Sequence, residues 1–178
     1  LKNPQKLTEK IQWLKLYDRN PDYHLLVDKY EVKEIVAEKA GRDLVIPTYG
    51  VWSKFEDIDF DKLPNQFVLK CTHDSASVVI CKNKKEFDFD FAKNKLNKAL
   101  KFNYYRYENK QWAYKKIKPR IIAEKYLSEL GNTDLMDYKF YCFNGEPQFC
   151  QVIANRQTNE TIDFYDKNWN HQNFIGIL

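Results

Sequence analysis

The chain has 178 residues, 43% of them apolar and 30% charged, with 29 Lys and Arg against 25 Asp and Glu. That length fits one domain or two small lobes, and the composition excludes a disordered chain. A formal charge of +4 is too small to mark a nucleic-acid or membrane binder by itself and fits an anionic small molecule equally well.

No apolar run approaches the roughly 20 residues of a membrane-spanning helix, and no signal-peptide pattern opens the chain, so the protein reads as cytoplasmic. Leu1 in place of a starting Met, and the apolar close "NFIGIL", read as the ends of a fragment. Cys71, Cys81, Cys142 and Cys150 lie in strand-like runs without the close pairing of a zinc site, which predicts reduced, buried thiols.

"LTEKIQWLKLY" (7–17) carries apolar residues at Leu7, Ile11 and Leu14 and predicts an amphipathic helix with Thr8 as N-cap. "PDYHLLVDKYEVKEIVAEKAG" (21–41) predicts one further helix, with Gly41 as its C-cap. A short strand follows in "LVIPTYGVW". Phe67–Lys70 and Val78–Cys81 then form the arms of a hairpin around a polar loop. "KKEFDFDFAKNKLNKALKF" predicts a third helix through Phe91, Leu96 and Leu100.

The basic, aromatic stretch 101–118 is a pattern shared with binders of single-stranded nucleic acid, but a stacking platform needs its aromatics on one sheet face, and the run reads first as a surface helix or loop packed by its aromatics. From Arg120 onward the pattern is strands: "RIIAEKYLSEL", a hairpin turning at Asn144 and Gly145, and "TIDFYDKNW". The order predicts an α+β fold with antiparallel sheets.

Four features carry chemistry. Lys70 ends a strand before the polar loop, and Glu124 interrupts an apolar strand, where a carboxylate is costly unless paired. Asp137 and Lys139 alternate, and so share one strand face, while Arg156 closes the returning strand. The set resembles the ATP-grasp superfamily. In closer detail "DKYEVKEIV", "LPNQFVLKCTH", "KPRIIAEKYL" and "DYKFYCFNG" resemble its teichuronopeptide-biosynthesis, or TupA-like, branch, found with bacterial surface-polysaccharide proteins. The resemblance spans nearly the whole chain.

It implies two small lobes with antiparallel sheets and a nucleotide cleft between them. The division expected is 1–66 as an N-terminal helical part, 67–123 as the lysine-loop hairpin and helix, and 124–178 as the hinge and the start of a C-terminal sheet. By resemblance Lys29 and Lys70 meet the inner phosphates, Ser75 and Ser77 donate hydroxyls from the loop, and Glu124 takes the adenine amino group. Backbone groups of Lys125 and Leu127 complete the adenine edge, Asp137 takes the ribose, and Lys139 and Arg156 meet the terminal phosphates as the catalytic pair.

Where relatives carry an "HGSG" loop, this chain has "HDSAS", which brings the carboxylate of Asp74 toward a triphosphate. The acidic magnesium ligands of relatives have no counterpart here, and Asp163 and Asp166 read as ordinary strand-end residues.

The activity implied is ATP-dependent activation of a carboxylate as an acyl phosphate, followed by amide ligation, in capsular or teichuronic-type polysaccharide biosynthesis, with ATP and magnesium as cofactors. The partners implied are a nucleotide and a saccharide or amino-acid carboxylate, and nucleic acid is not expected among them. The alternatives are a non-catalytic nucleotide-binding module and a polysaccharide-biosynthesis glycosyltransferase.

Overall fold

The structure is a computed structural model that describes residues 2–107, 110–127, 135–156 and 158–174. Residues 108–109 of the basic aromatic stretch, 128–130 of the expected strand after Arg120, and the last four residues of "NFIGIL" lie outside the described residues.

Helix α1 (Leu7–Tyr17) starts at Lys6, and Thr8 is not its cap. Glu9 reaches back instead, its carboxylate accepting from the amides of Gln5 and Lys6 at 2.9 and 3.1 Å, and so satisfies donors that the first turn leaves open. The single helix expected over 21–41 is two, α2 (Tyr23–Val27) and α3 (Glu31–Ala40). Asp28 makes the break: its backbone is extended, and its carboxylate accepts from the amides of Tyr30 and Glu31 at 2.8 and 3.3 Å. That local bonding makes aspartate a helix starter rather than an interior residue. Gly41 ends α3 at φ 107°, a conformation a side chain would strain.

Strands β1 (Thr48–Trp52), β2 (Phe67–Cys71) and β3 (Val79–Cys81) follow, then α4 (Phe89–Leu100), α5 (Tyr104–Tyr107) and β4 (Ile121–Lys125). They build a four-stranded antiparallel sheet in the order β1-β4-β2-β3. Alternation along β2 sends Phe67, Leu69 and Cys71 into the core, where Ile121 and Ala123 of β4 join them. Helix α4 covers this face through Ala92 and Leu96, one turn apart. Phe91, expected on the buried stripe, is 54% exposed; the helical period admits either neighbour, and packing selects the smaller alanine.

The remaining strands, β5 (Asp137–Phe143), β6 (Glu146–Ala154) and β7 (Thr161–Asp166), form an antiparallel meander. Asn144 and Gly145 make the β5-β6 turn, both at positive φ, as a two-residue hairpin requires. The protein is thus α+β with two antiparallel sheets. The chain divides by its contacts into Leu1–Tyr126 and Leu127–Leu178. Because β4 pairs with both β1 and β2, residues 48–52, 67–71 and 121–125 share one sheet across the boundaries drawn after residues 66 and 123. The four cysteines are free thiols, and Cys142 is exposed rather than buried because it stands on the edge strand β5.

Candidate functional site

The sheet of the first unit has a second face, opposite the core, and Lys70 of β2 and Glu124 of β4 stand on it. Val68 lies directly across from Glu124, and Lys70 directly across from Ile122, so Lys70 and Glu124 are diagonal neighbours on one face. Glu124 is 4% exposed. Its carboxylate is held by two ammonium groups, Lys33 of α3 at 2.6 Å and Lys70. A buried carboxylate with two cations in contact is compensated, and it holds those cations close together.

Lys29 joins them from the turn before α3. Its ammonium donates to the backbone carbonyls of Asp74 and, at 3.1 Å, of Cys71, with the Asp74 carboxylate at 4.0 Å. Burial lowers its pKa from the usual lysine value; Asp74 works against that shift and the neighbouring charge of Lys70 adds to it. An anion arriving beside Lys29 would favour its charged form and work against that lowering.

In the loop between β2 and β3, Asp74 turns inward and is 8% exposed. It accepts from the Ser77 hydroxyl at 2.7 Å, and that hydroxyl accepts from the Cys71 amide at 2.9 Å. Ser77 is therefore bonded within the loop. Ser75 stays exposed and shares a hydrogen bond with the Tyr104 hydroxyl at 3.0 Å. Burial pushes the Cys71 thiol up to about 11, so it remains protonated beneath the loop.

Two cavities open here. One of about 620 Å³ is lined by Lys33, Tyr30, Ile46, Pro47 and Thr48, within the roughly 300–1,000 Å³ of small-molecule sites. The other, about 280 Å³, lies against the loop and is lined by Ser75, Lys95, Lys98, Phe102 and Tyr104. The Lys125 amide donates to the Pro47 carbonyl at 3.0 Å, so that amide is already engaged at the edge where the resemblance places adenine. Leu127 follows the end of β4.

In the second unit, Asp137 and Lys139 lie two apart on β5. Arg156 pairs with Asp137 at 2.8 Å and approaches Glu160 at 3.8 Å, so both Asp137 and Arg156 have partners within that unit. Asp163 accepts from or pairs with His171 at 3.0 Å, and Asp166 is bonded by the Asn168 and Asn170 amides.

Lys33 escaped the sequence reading. Its spacing of four from Lys29 on the single helix expected over 21–41 was the available signal, although in the structure Lys29 precedes α3. Arg120 and Asp28, described below, were missed as well. Among the described residues no cluster of three or more His, Cys, Asp or Glu could hold a metal, and no helix is long and apolar enough to cross a membrane.

Among known proteins, a family model described as TupA-like ATPgrasp matches residues 9–176. No curated protein sequence and no solved structure matches the chain significantly.

Proposed function

Because the chain belongs to the TupA-like ATP-grasp family, with the ATP-grasp type of role which that membership carries, we propose that it binds the phosphates of ATP at the lysine cluster of its first unit and uses them to activate a carboxylate for amide ligation. The observation that carries this reading is the convergence of three ammonium groups, Lys29, Lys33 and Lys70, on Glu124 and Asp74, with Lys33 lining a cavity of nucleotide size.

Each residue has a distinct task in this reading. Lys33 and Lys70 turn toward the phosphates while Glu124 keeps the two like charges together, so little reorganisation is needed when the ligand arrives. Lys29, tied to the loop carbonyls, sets the loop against the same phosphates. The adenine amino group, which the resemblance gives to Glu124, is assigned in this reading to the neighbouring Lys125 carbonyl, because the Glu124 carboxylate is taken up by Lys33 and Lys70. Magnesium, when bound with the nucleotide, would neutralise further phosphate charge, and no step is assigned to a ligand of it in this chain. The roles suggested for Leu127, Asp137, Lys139 and Arg156 rest on the family reading and are tested by their own substitutions.

The product chemistry proposed is an acyl phosphate attacked by an amine, with a uronic or amino acid as the carboxylate, in surface-polysaccharide biosynthesis. Supporting it is the family's association with such pathways rather than any residue that selects a substrate.

The test is calorimetric titration of ATP and adenosine into the wild type and Lys70→Ala. A charge-assisted hydrogen bond is worth about 1.5–3 kcal/mol, so ATP affinity should fall about tenfold or more while adenosine affinity changes little. Equal losses for ATP and adenosine would make Lys70 a structural residue and remove the assignment.

A further inference from the structure

We propose that the Arg120–Asp28 pair is a positioning element for the phosphate-binding lysines, fixing the first turn of α3 so that Lys29 and Lys33 reach the sheet face occupied by Lys70. The inference deepens the ATP reading above and rests on it for its functional half.

The geometry is a knot at the junction of α2, α3, β2 and β4. Asp28, 3% exposed, uses one carboxylate oxygen to start α3, on the amides of Tyr30 and Glu31. Its other oxygen accepts from Arg120 at 3.0 Å and from the Thr72 hydroxyl at 3.4 Å. The same Arg120 nitrogen donates to Glu31 at 2.7 Å, and the guanidinium lies over the Tyr30 ring at 5.0 Å. The backbone closes the knot, with the Lys29 amide donating to the Thr72 carbonyl at 3.1 Å and the Thr72 amide to the Arg120 carbonyl at 2.9 Å.

Lys29 is the next residue after Asp28, and Lys33 stands about one turn further along α3. Their directions therefore follow from the rotation and tilt of that first turn. The three lysine charges oppose this arrangement, since like charges at close range repel, and Lys70 already disfavours the charged form of Lys29. Glu124 and Asp74 offset part of the repulsion but hold only the ammonium ends. Arg120 holds the helix itself, from residues outside the cluster, and a planar guanidinium bonded to both Asp28 and Glu31 fixes an orientation that a hydrated ammonium would not.

Arg120→Gln tests this in the full-length chain by two readouts. The first needs no nucleotide: amine acylation followed residue by residue by mass spectrometry. In the wild type Lys29, Lys33 and Lys70 should react slowly beside the exposed Lys62. In the variant Lys29 and Lys33 should speed up severalfold while Lys70, on a strand bonded on both sides, keeps its protection. Unchanged rates at Lys29 and Lys33, or equal acceleration at Lys70, would overturn the positioning role, the latter by showing general loosening of the unit.

The second readout is ATP affinity against adenosine affinity, where about a tenfold loss for ATP alone is expected. Equal losses for both ligands overturn the functional half. A wild type that binds no ATP refutes the nucleotide reading itself, and the acylation pattern still decides whether Arg120 positions the lysines.

Discussion

In the first unit β4 is covered on both faces, with Ile121 and Ala123 in the core and Ile122 and Glu124 sealed on the other side, whereas β5 of the second unit is exposed along its whole length. The ion pairs differ in the same way. Glu124 is held by Lys33 and Lys70 with almost no solvent contact, while Arg156 and Asp137 pair with about half of each side chain exposed. The comparison teaches that the same chemistry, a carboxylate with a cation, fixes structure where water is excluded and contributes little where water competes.

The largest effect is expected at Glu124. Glu124→Gln keeps the shape and leaves Lys33 and Lys70 facing each other without their counter-charge, and breaking a buried pair costs about 3 kcal/mol or more. Urea denaturation should show a loss of that size, and a loss under about 1 kcal/mol would erase the contrast between the two sheets.

A middle case is Asp74, whose inward carboxylate bonds Ser77 and faces Lys29. Asp74→Gly should lower stability by about 1–2 kcal/mol, the usual cost of an unsatisfied buried hydrogen-bond partner. Wild-type stability in this variant would mean that the loop opens to solvent and that its carboxylate is free to meet a ligand.

The smallest effect belongs to the second unit. Arg156→Ala should change stability by less than about 1 kcal/mol, and raised salt should abolish even that, because exposed pairs are screened. A larger loss would place Arg156 among residues the structure needs.

What the sequence reveals follows the range of the interactions. The hairpin around the polar loop, the Asn144–Gly145 turn and the Gly41 helix end are written in neighbouring residues, and each was legible. Glu124 was legible as a carboxylate in need of a partner. Which partner was not, because Lys33 comes from a helix far back in the chain. Asp28 reads as one more polar residue in a helical pattern until Arg120, 92 residues later, takes its second oxygen. The inward turn of Asp74 was hidden for a related reason: the Ser77 hydroxyl and Lys29 together make burial of a carboxylate affordable, and only the folded loop brings both to it.

The central claim is that Lys29, Lys33 and Lys70 together form a polyphosphate site, and ligand protection of those amines tests it most directly. Acylation rates of every lysine would be measured with no ligand, with adenosine, and with saturating ATP. The expected result is slower reaction at all three residues with ATP and no change with adenosine. Unaltered rates at the three lysines while ATP is bound would contradict the claim and place the phosphates elsewhere on the chain.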